Sequence, residues 1–160
     1  MYPGSIAARM PDHPALIMGS TGEVVTYRQL DERSNRLAQL FRARGLRPGD
    51  CIALFMENQV RFMEVTWAAQ RAGLYCTPIN SHLTASEVEY IVDDCEARIL
   101  VSSRALAGVL RDMRSDATPR VEGRLVVDTV DGVPAELSAA GWESYEDAVA
   151  AFAPEPIADE

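Results

Sequence analysis

Few side chains in this 160-residue sequence are of a type and spacing that could do chemistry, and an absence is as informative as those present. All 15 basic residues are arginine. A phosphate-cradling P-loop, a Schiff-base site and a lysine general base all need the missing lysine, so none can operate within this chain. His13 lies between Pro11 and Pro14 and reads as a surface loop residue. His82 falls just past the carboxyl end of a buried apolar run, where ligands bind in open α/β sheets. Its residue type by itself reads first as a local hydrogen-bonding group. The pair Asp93-Asp94 invites a metal or phospho-acceptor reading, but these acids come late in an amphipathic helical pattern, which makes them a solvated helix terminus. Gly19-Ser20-Thr21-Gly22 has the composition of a phosphate loop, yet no helix starts directly after it, so it reads as a turn. No G-x-G-x-x-G, H-E-x-x-H or G-x-S-x-G pattern occurs.

Cys51, Cys76 and Cys95 are widely spaced and lie among apolar neighbours, with no C-x-x-C pair. They read as free buried thiols in a reducing compartment, and with His82 they lack any zinc-ligand spacing. Residues 1–124 hold 15 acids and 15 bases, while residues 125–160 hold 9 acids and no base, so the carboxyl-terminal part supplies the whole net charge of −9. A solvated acidic tail follows from this, and nucleic-acid binding has no basic patch to support it. The 48% apolar content suits one soluble domain. The run from Met1 lacks the basic start and apolar stretch of a signal peptide, and no apolar run reaches the roughly 18 residues of a membrane span. The expectation is a cytoplasmic protein with no transmembrane segment.

Periodicity supplies the frame for these residues. Ala15–Met18 and Glu23–Thr26 flank the glycine turn as a β-hairpin. Thr26 and Gln29 have capping-box spacing, and Leu30, Leu37, Ala38 and Phe41 mark one face of the helix that follows, which Gly45 stops. Arg33, Arg36, Arg42, Arg44 and Arg47 are read as its wet face. Cys51–Met56 is an unbroken apolar run, as expected for a strand covered on both sides. Residues 60–72 read as a largely buried helix, and Ala69–Asn80 as a helix end, a glycine stop and a short strand closing on Pro78-Ile79-Asn80. Thr84 and Glu87 cap a further helix, residues 98–102 form a strand, Leu106 to Met113 repeat the helical period, and residues 124–128 form another strand. Three β-α-β units in succession predict a mostly parallel sheet with helices on both faces, preceded by the hairpin. Beyond Asp128 only a helix opened by Ser144 and Asp147 is visible, running through Phe152. The domain is placed at residues 1–152 and an acidic linker or tail at 153–160.

Three stretches in register resemble the adenylate-forming enzymes, the superfamily of acyl-CoA synthetases, peptide-synthetase adenylation domains and luciferases. Val25-Thr26-Tyr27-Arg28-Gln29-Leu30 is similar to the first core motif of that family, and Gly49-Asp50-Cys51-Ile52-Ala53-Leu54 to its Gly-Asp strand entry. Ala72-Gly73-Leu74-Tyr75-Cys76-Thr77-Pro78-Ile79-Asn80 is similar to the second core motif. Asn80 followed by Leu83-Thr84-x-x-Glu87 resembles fatty-acyl and related CoA ligases more than amino-acid-activating domains, which favour Asp there.

The resemblance implies a two-step reaction in which a carboxylic acid and ATP give an acyl-adenylate and CoA then displaces AMP, with Mg²⁺ accompanying the ATP. It implies that Thr26, Tyr27, Gln29, Leu30, Gly49, Asp50, Gly73, Pro78 and Asn80 shape the scaffold. His82 stands where some acyl-CoA ligases carry an arginine near the nucleotide end of CoA. The family's Ser/Thr/Gly-rich loop ending in lysine, its ribose-holding acid and its catalytic lysine all lie beyond the matched region. The expectation is therefore an amino-terminal segment of an acyl-CoA synthetase with no catalytic residue of its own. It would bind none of ATP, Mg²⁺ or CoA tightly, would have the remainder of the parent enzyme as partner, and would be prone to homo-oligomerise through exposed apolar surface. The alternatives are a non-enzymatic interaction or regulatory module that keeps only this scaffold, and a flavodoxin-like nucleotide binder.

Overall fold

The apolar runs separated by turn residues become strands because each can be covered on both faces by the helices between them. The computed structural model describes residues 3–129 and 131–160. A short helix α1 (Pro3–Ala7) precedes the antiparallel hairpin of β1 (Pro14–Ile17) and β2 (Val24–Thr26). Helix α2 (Tyr27–Ala43) leads to β3 (Cys51–Phe55), α3 (Val60–Arg71), β4 (Tyr75–Ile79), α4 (Ala85–Asp94) and β5 (Ala97–Ser103). Then come α5 (Ala107–Asp112), β6 (Gly123–Val127), α6 (Ala135–Ala139), β7 (Trp142–Ser144) and α7 (Tyr145–Ala150). Strands β3 to β7 form one five-stranded sheet in the order β4-β3-β5-β6-β7, every neighbouring pair parallel.

The period of two along each strand divides the core. Ile52, Leu54, Val101, Leu125 and Val127 meet Leu37, Phe41, Val65, Ala69 and Tyr145 of α2, α3 and α7 on one side. Ala53, Phe55, Leu100 and Val126 meet Val88, Val92, Leu110 and Leu137 of α4, α5 and α6 on the other. Burying one such Leu or Phe is worth about 1.5–3 kcal/mol, which is why strands of only three to seven residues hold their register here. Within the five-stranded sheet the register shifts once, where β3 passes from Ala97 to Ile99 on β5. That irregularity leaves Arg98 turned to Asp50 and Glu122 at the amino edge of the sheet.

Thr26 caps α2 by accepting the Gln29 N–H while the Gln29 side chain accepts the Thr26 N–H at 2.9 Å, which satisfies two helix-end donors reciprocally. The helix ends before Gly45, whose φ of 79° a side chain would resist.

Four features depart from the sequence expectation. The weak signal after Asp128 conceals α6 and β7, the latter a sheet-edge strand of only three residues. The arginine face of α2 is not simply wet. Arg33 pairs with the fully buried Glu64, Arg36 donates to the Phe152 carbonyl, Arg42 donates to the Ala72 carbonyl and pairs with Asp159, and Arg44 pairs with Glu143. Only Arg47 of the five is exposed and without a carboxylate partner at its guanidinium among the described ion pairs. Third, the acidic residues 153–160, expected as a solvated tail, lie along α2. Ile157 is 5% exposed within the core, and Asn35 and Gln39 donate to the carbonyls of Pro154, Glu155 and Pro156. The arginines of the first half attract the unbalanced acids of the last. Fourth, the three cysteines are free but only half-buried.

Candidate functional site

The chain leaves β3 for β4 on one side and then crosses back past β3 to β5, so β3 stands at the point where the winding reverses. In open α/β sheets the crevice outside the carboxyl ends at such a point is the ligand-binding position. Two groups of residues lie along this carboxyl edge, the second of them across the reversal point between β3 and β5.

The first is an open cleft of about 530 Å³ beside the ends of β3 and β4, lined by Met56, Glu57, Asn58, Phe62 and residues 78–82. Its far wall is shaped by Asn80, whose side-chain oxygen accepts the His82 N–H at 3.0 Å while its carbonyl accepts the Leu83 N–H at 3.2 Å. This turn delivers the chain to Thr84, whose N–H and hydroxyl donate to the Glu87 carboxylate at 2.8 and 2.7 Å. Those two bonds, the hydroxyl's first, hold the Glu87 carboxyl below its ordinary range. Pro78, Asn80 and His82 therefore share one cleft, with the exposed His82 on its rim.

The second group runs across the ends of β3, β5, β6 and β7. Ser102 donates to the Phe55 carbonyl at 2.5 Å, and Ser103 donates to the Glu57 carboxylate. Gln59 bridges Glu57 and Asp128 at 2.9 and 3.1 Å. Thr129 donates to Ser144 at 2.8 Å and to Glu146 at 3.1 Å, and Glu146 also accepts the Asp128 N–H. Asp128 sits at φ 64°, a strained backbone for a residue other than glycine, in the position that lets its carboxylate reach Gln59. None of these residues was singled out from sequence as a site. The available signal was positional: each apolar strand run is followed at once by polar residues, Glu57-Asn58-Gln59, Ser102-Ser103 and Asp128-Thr129.

The remaining motif residues meet at the opposite edge. The Gly49 N–H donates to the Gly73 carbonyl at 2.8 Å, and the Tyr75 N–H to the Asp50 carbonyl at 2.9 Å. Gly73 has φ 64°, and a Cβ built there would lie 3.1 Å from the Pro48 Cβ, so the close approach of the two turns requires glycine. The Asp50 carboxylate accepts the Arg47 N–H and the Arg98 guanidinium, each at 2.7 Å. Those contacts, the backbone bond foremost, hold its pKa below the ordinary value. Leu30, in the first motif, packs with Val25 and Val60, and the Tyr27 N–H bonds the His13 carbonyl. The structure thus gathers Gly49, Asp50 and Gly73 at the amino edge and Pro78, Asn80 and His82 at the carboxyl edge, with Thr26 capping α2, Tyr27, Gln29 and Leu30 in its first turn, and Leu30 packed on Val60 at the start of α3.

Chemically the carboxyl edge offers three carboxylates, Glu57, Asp128 and Glu146, with the hydroxyls of Ser103 and Thr129 donating to two of them. Among the described residues no cluster of histidine, cysteine or acidic side chains is arranged to hold a metal ion, and no helix is long and apolar enough to cross a membrane.

An open parallel α/β sheet with a polar crevice at its reversal point defines a ligand-binding α/β class. The family follows from comparison: the model of the AMP-binding enzyme family matches residues 5–159, and the chain belongs to that family. It is 32% identical over 146 residues to a 3-oxocholest-4-en-26-oate–CoA ligase of Rhodococcus rhodochrous, which covers 91% of this chain and 25% of the relative. It is 33% identical over 109 residues to the long-chain-fatty-acid–CoA ligase FadD13 of Mycobacterium tuberculosis, covering 68% of this chain and 22% of the relative. The chain thus spans about a quarter of the length of these curated relatives. The solved amino-terminal domain of FACL13 from Mycobacterium tuberculosis superposes with a TM-score of 0.78 at 25% identity, over 99% of this chain and 36% of that one. The open parallel sheet, its flanking helices and the hairpin are those of the amino-terminal domain of acyl-CoA synthetases.

Proposed function

We propose that this chain is the amino-terminal scaffold of an ATP-dependent acid–CoA ligase, catalytically incomplete alone, whose parent enzyme activates a carboxylic acid as an acyl-adenylate and transfers it to CoA. The observation that carries this reading is one of extent: relatives named as CoA ligases align with 91% and 68% of this chain while about three quarters of their own length lies outside it. The sequence is in keeping with the same division, since the chain carries no lysine for the phosphate-binding loop or the catalytic lysine of such enzymes. ATP, Mg²⁺ and CoA belong to the parent enzyme. The 32% identity to a ligase of a steroid-derived acid and the 33% identity to a long-chain-fatty-acid ligase favour a bulky apolar acid as substrate. His82, exposed on the cleft rim, is proposed as a contact on the CoA side, and the cytoplasm as the location.

The test compares the isolated 160 residues with a longer polypeptide in which this chain is joined to the rest of a matching ligase. Pyrophosphate release and acyl-CoA formation are followed with ATP, CoA and a long-chain acid. The longer protein is expected to turn over and the isolated chain to give no product above background. Turnover by the isolated chain overturns the scaffold reading, and an inactive but folded longer protein overturns the ligase reading. In the active protein, His82→Ala is expected to raise KM for CoA with little change in kcat; an unchanged KM removes His82 from that role.

A further inference from the structure

At the amino edge of the sheet the fold brings together two thiols that the sequence keeps far apart. Cys51 opens β3 and lies beside Ala97 in the parallel register with β5. Cys95 ends α4 only two residues before Ala97, and Glu96 between them takes a φ of 55° that turns the chain sharply into the strand. The turn brings Cys95 back beside the start of β3, where it lines the same cleft as Cys51. The contacts of the pair are weak for sulfur: Cys51 with the Thr77 hydroxyl at 3.4 Å, and Cys95 with the Val92 carbonyl at 3.5 Å. Both thiols line an open cleft of about 660 Å³, so a small oxidant reaches them. Cys76 is placed differently. It belongs to the opposite face of the sheet, packed against the α2 and α3 core, and burial pushes its thiol up to about 11.

We propose that Cys51 and Cys95 are a redox-responsive dithiol that closes to an intramolecular disulfide when a peroxide oxidises it, joining the start of β3 to the end of α4. One thiol attacks the peroxide oxygen, the O–O bond breaks, and water leaves as a sulfenic acid forms. The second thiol then attacks that sulfur, the S–O bond breaks, and a second water departs with the S–S bond made. Two thiols are oxidised and one peroxide is reduced to two waters, so no further reactant is needed. Burial raises the Cys51 thiol above its ordinary value, so the attack on peroxide draws on a minor thiolate fraction. The bond would tie the loop that contains α3, β4 and α4, restricting the unfolded chain more than the native one.

The full 160-residue protein, freed of reductant, is treated with hydrogen peroxide and its thiols are counted after denaturation. Free thiols are expected to fall from three to one. Peptide mapping without reduction is expected to show Cys51 joined to Cys95 and Cys76 free, in a protein that still migrates as a monomer. Cys51→Ala and Cys95→Ala are each expected to abolish the cross-link, and Cys76→Ala to retain it; circular dichroism establishes that each variant is folded. A cross-link through Cys76, covalent dimers, or sulfinic acid at Cys51 or Cys95 without a bond between them would overturn the proposal.

Discussion

Replacing Arg71 by methionine keeps most of the side-chain volume and removes the charge from the node that ties the end of the chain to its beginning. The Arg71 side chain is 2% exposed and lies between α2 and the last residue. It donates to the Ser34 hydroxyl at 3.1 Å and to the Asn35 side-chain oxygen at 2.7 Å, and pairs with Asp31 and with Glu160 at 2.8 Å. Loss of one member of a buried ion pair costs about 3–5 kcal/mol when the partner is left without compensation. Asp31 and Glu160 are each about a fifth exposed, so water screens their share. Asn35 is buried, and an unmet buried acceptor costs about 1–3 kcal/mol. The expected loss for Arg71→Met is therefore about 3 kcal/mol, a large part of the roughly 5–15 kcal/mol that a domain possesses. It should appear in urea unfolding as a lower midpoint with an unchanged slope, and as a Tm lower by about 6–12 °C. Glu160→Gln, which keeps an acceptor for the guanidinium, is expected to cost no more than about 1 kcal/mol. If Arg71→Met came within about 1 kcal/mol of the parent, the node would not anchor the carboxyl-terminal segment as described.

Gly73→Ala places a Cβ at positive φ and 3.1 Å from Pro48, so urea unfolding should show a loss of about 1–2 kcal/mol. Gly108→Ala meets nothing within 4 Å inside α5 and should leave stability unchanged or raise it by up to about 1 kcal/mol; equal effects at the two positions would refute the steric account. Asp50 titrates below its ordinary value in the folded chain, so the unfolded chain takes up its proton first as pH falls. Its contribution is present above about pH 4 and lost as pH drops through the folded value. Asp50→Asn should accordingly flatten the acid limb of a stability–pH curve, and an unaltered limb would count against the contacts from Arg47 and Arg98.

Legibility in the sequence followed the range of the forces involved. The capping pairs Thr26–Gln29 and Thr84–Glu87, the glycine stops at Gly45 and Gly73, and the buried strand at Cys51–Phe55 rest on contacts a few residues apart, and the structure shows each. Strand β7 escaped because three residues carry too short a period to detect, and its pairing with β6 is what makes Trp142–Ser144 a strand. The polar rim was half legible. Glu57, Ser103 and Asp128 each follow an apolar run, but that they form one crevice depends on a strand order running β4-β3-β5-β6, which no local pattern states.

Charge pairing is hidden from the sequence for the same reason. Fifteen arginines balanced against fifteen acids in the first 124 residues, and nine acids left over at the end, looked like a neutral body with a solvated tail. The fold spends those long-range attractions internally: Arg42 on Asp159, Arg44 on Glu143, Arg71 on Glu160, and Arg33 and Arg61 on the buried Glu64.

By itself the amino-acid sequence determined the alternation of strand and helix, the parallel α/β class, the absence of a lysine-dependent centre, and the likeness to adenylate-forming enzymes, because periodicity, turn chemistry and residue type act locally. Only the tertiary structure decided which arginine meets which acid, that the last eight residues return to α2, and that Cys51 and Cys95 line one cleft while Cys76 lies across the sheet. Those outcomes depend on strand order and on which side of the pleat a side chain emerges, and the enclosed, low-dielectric setting that gives such meetings their strength exists only once the chain has closed around them.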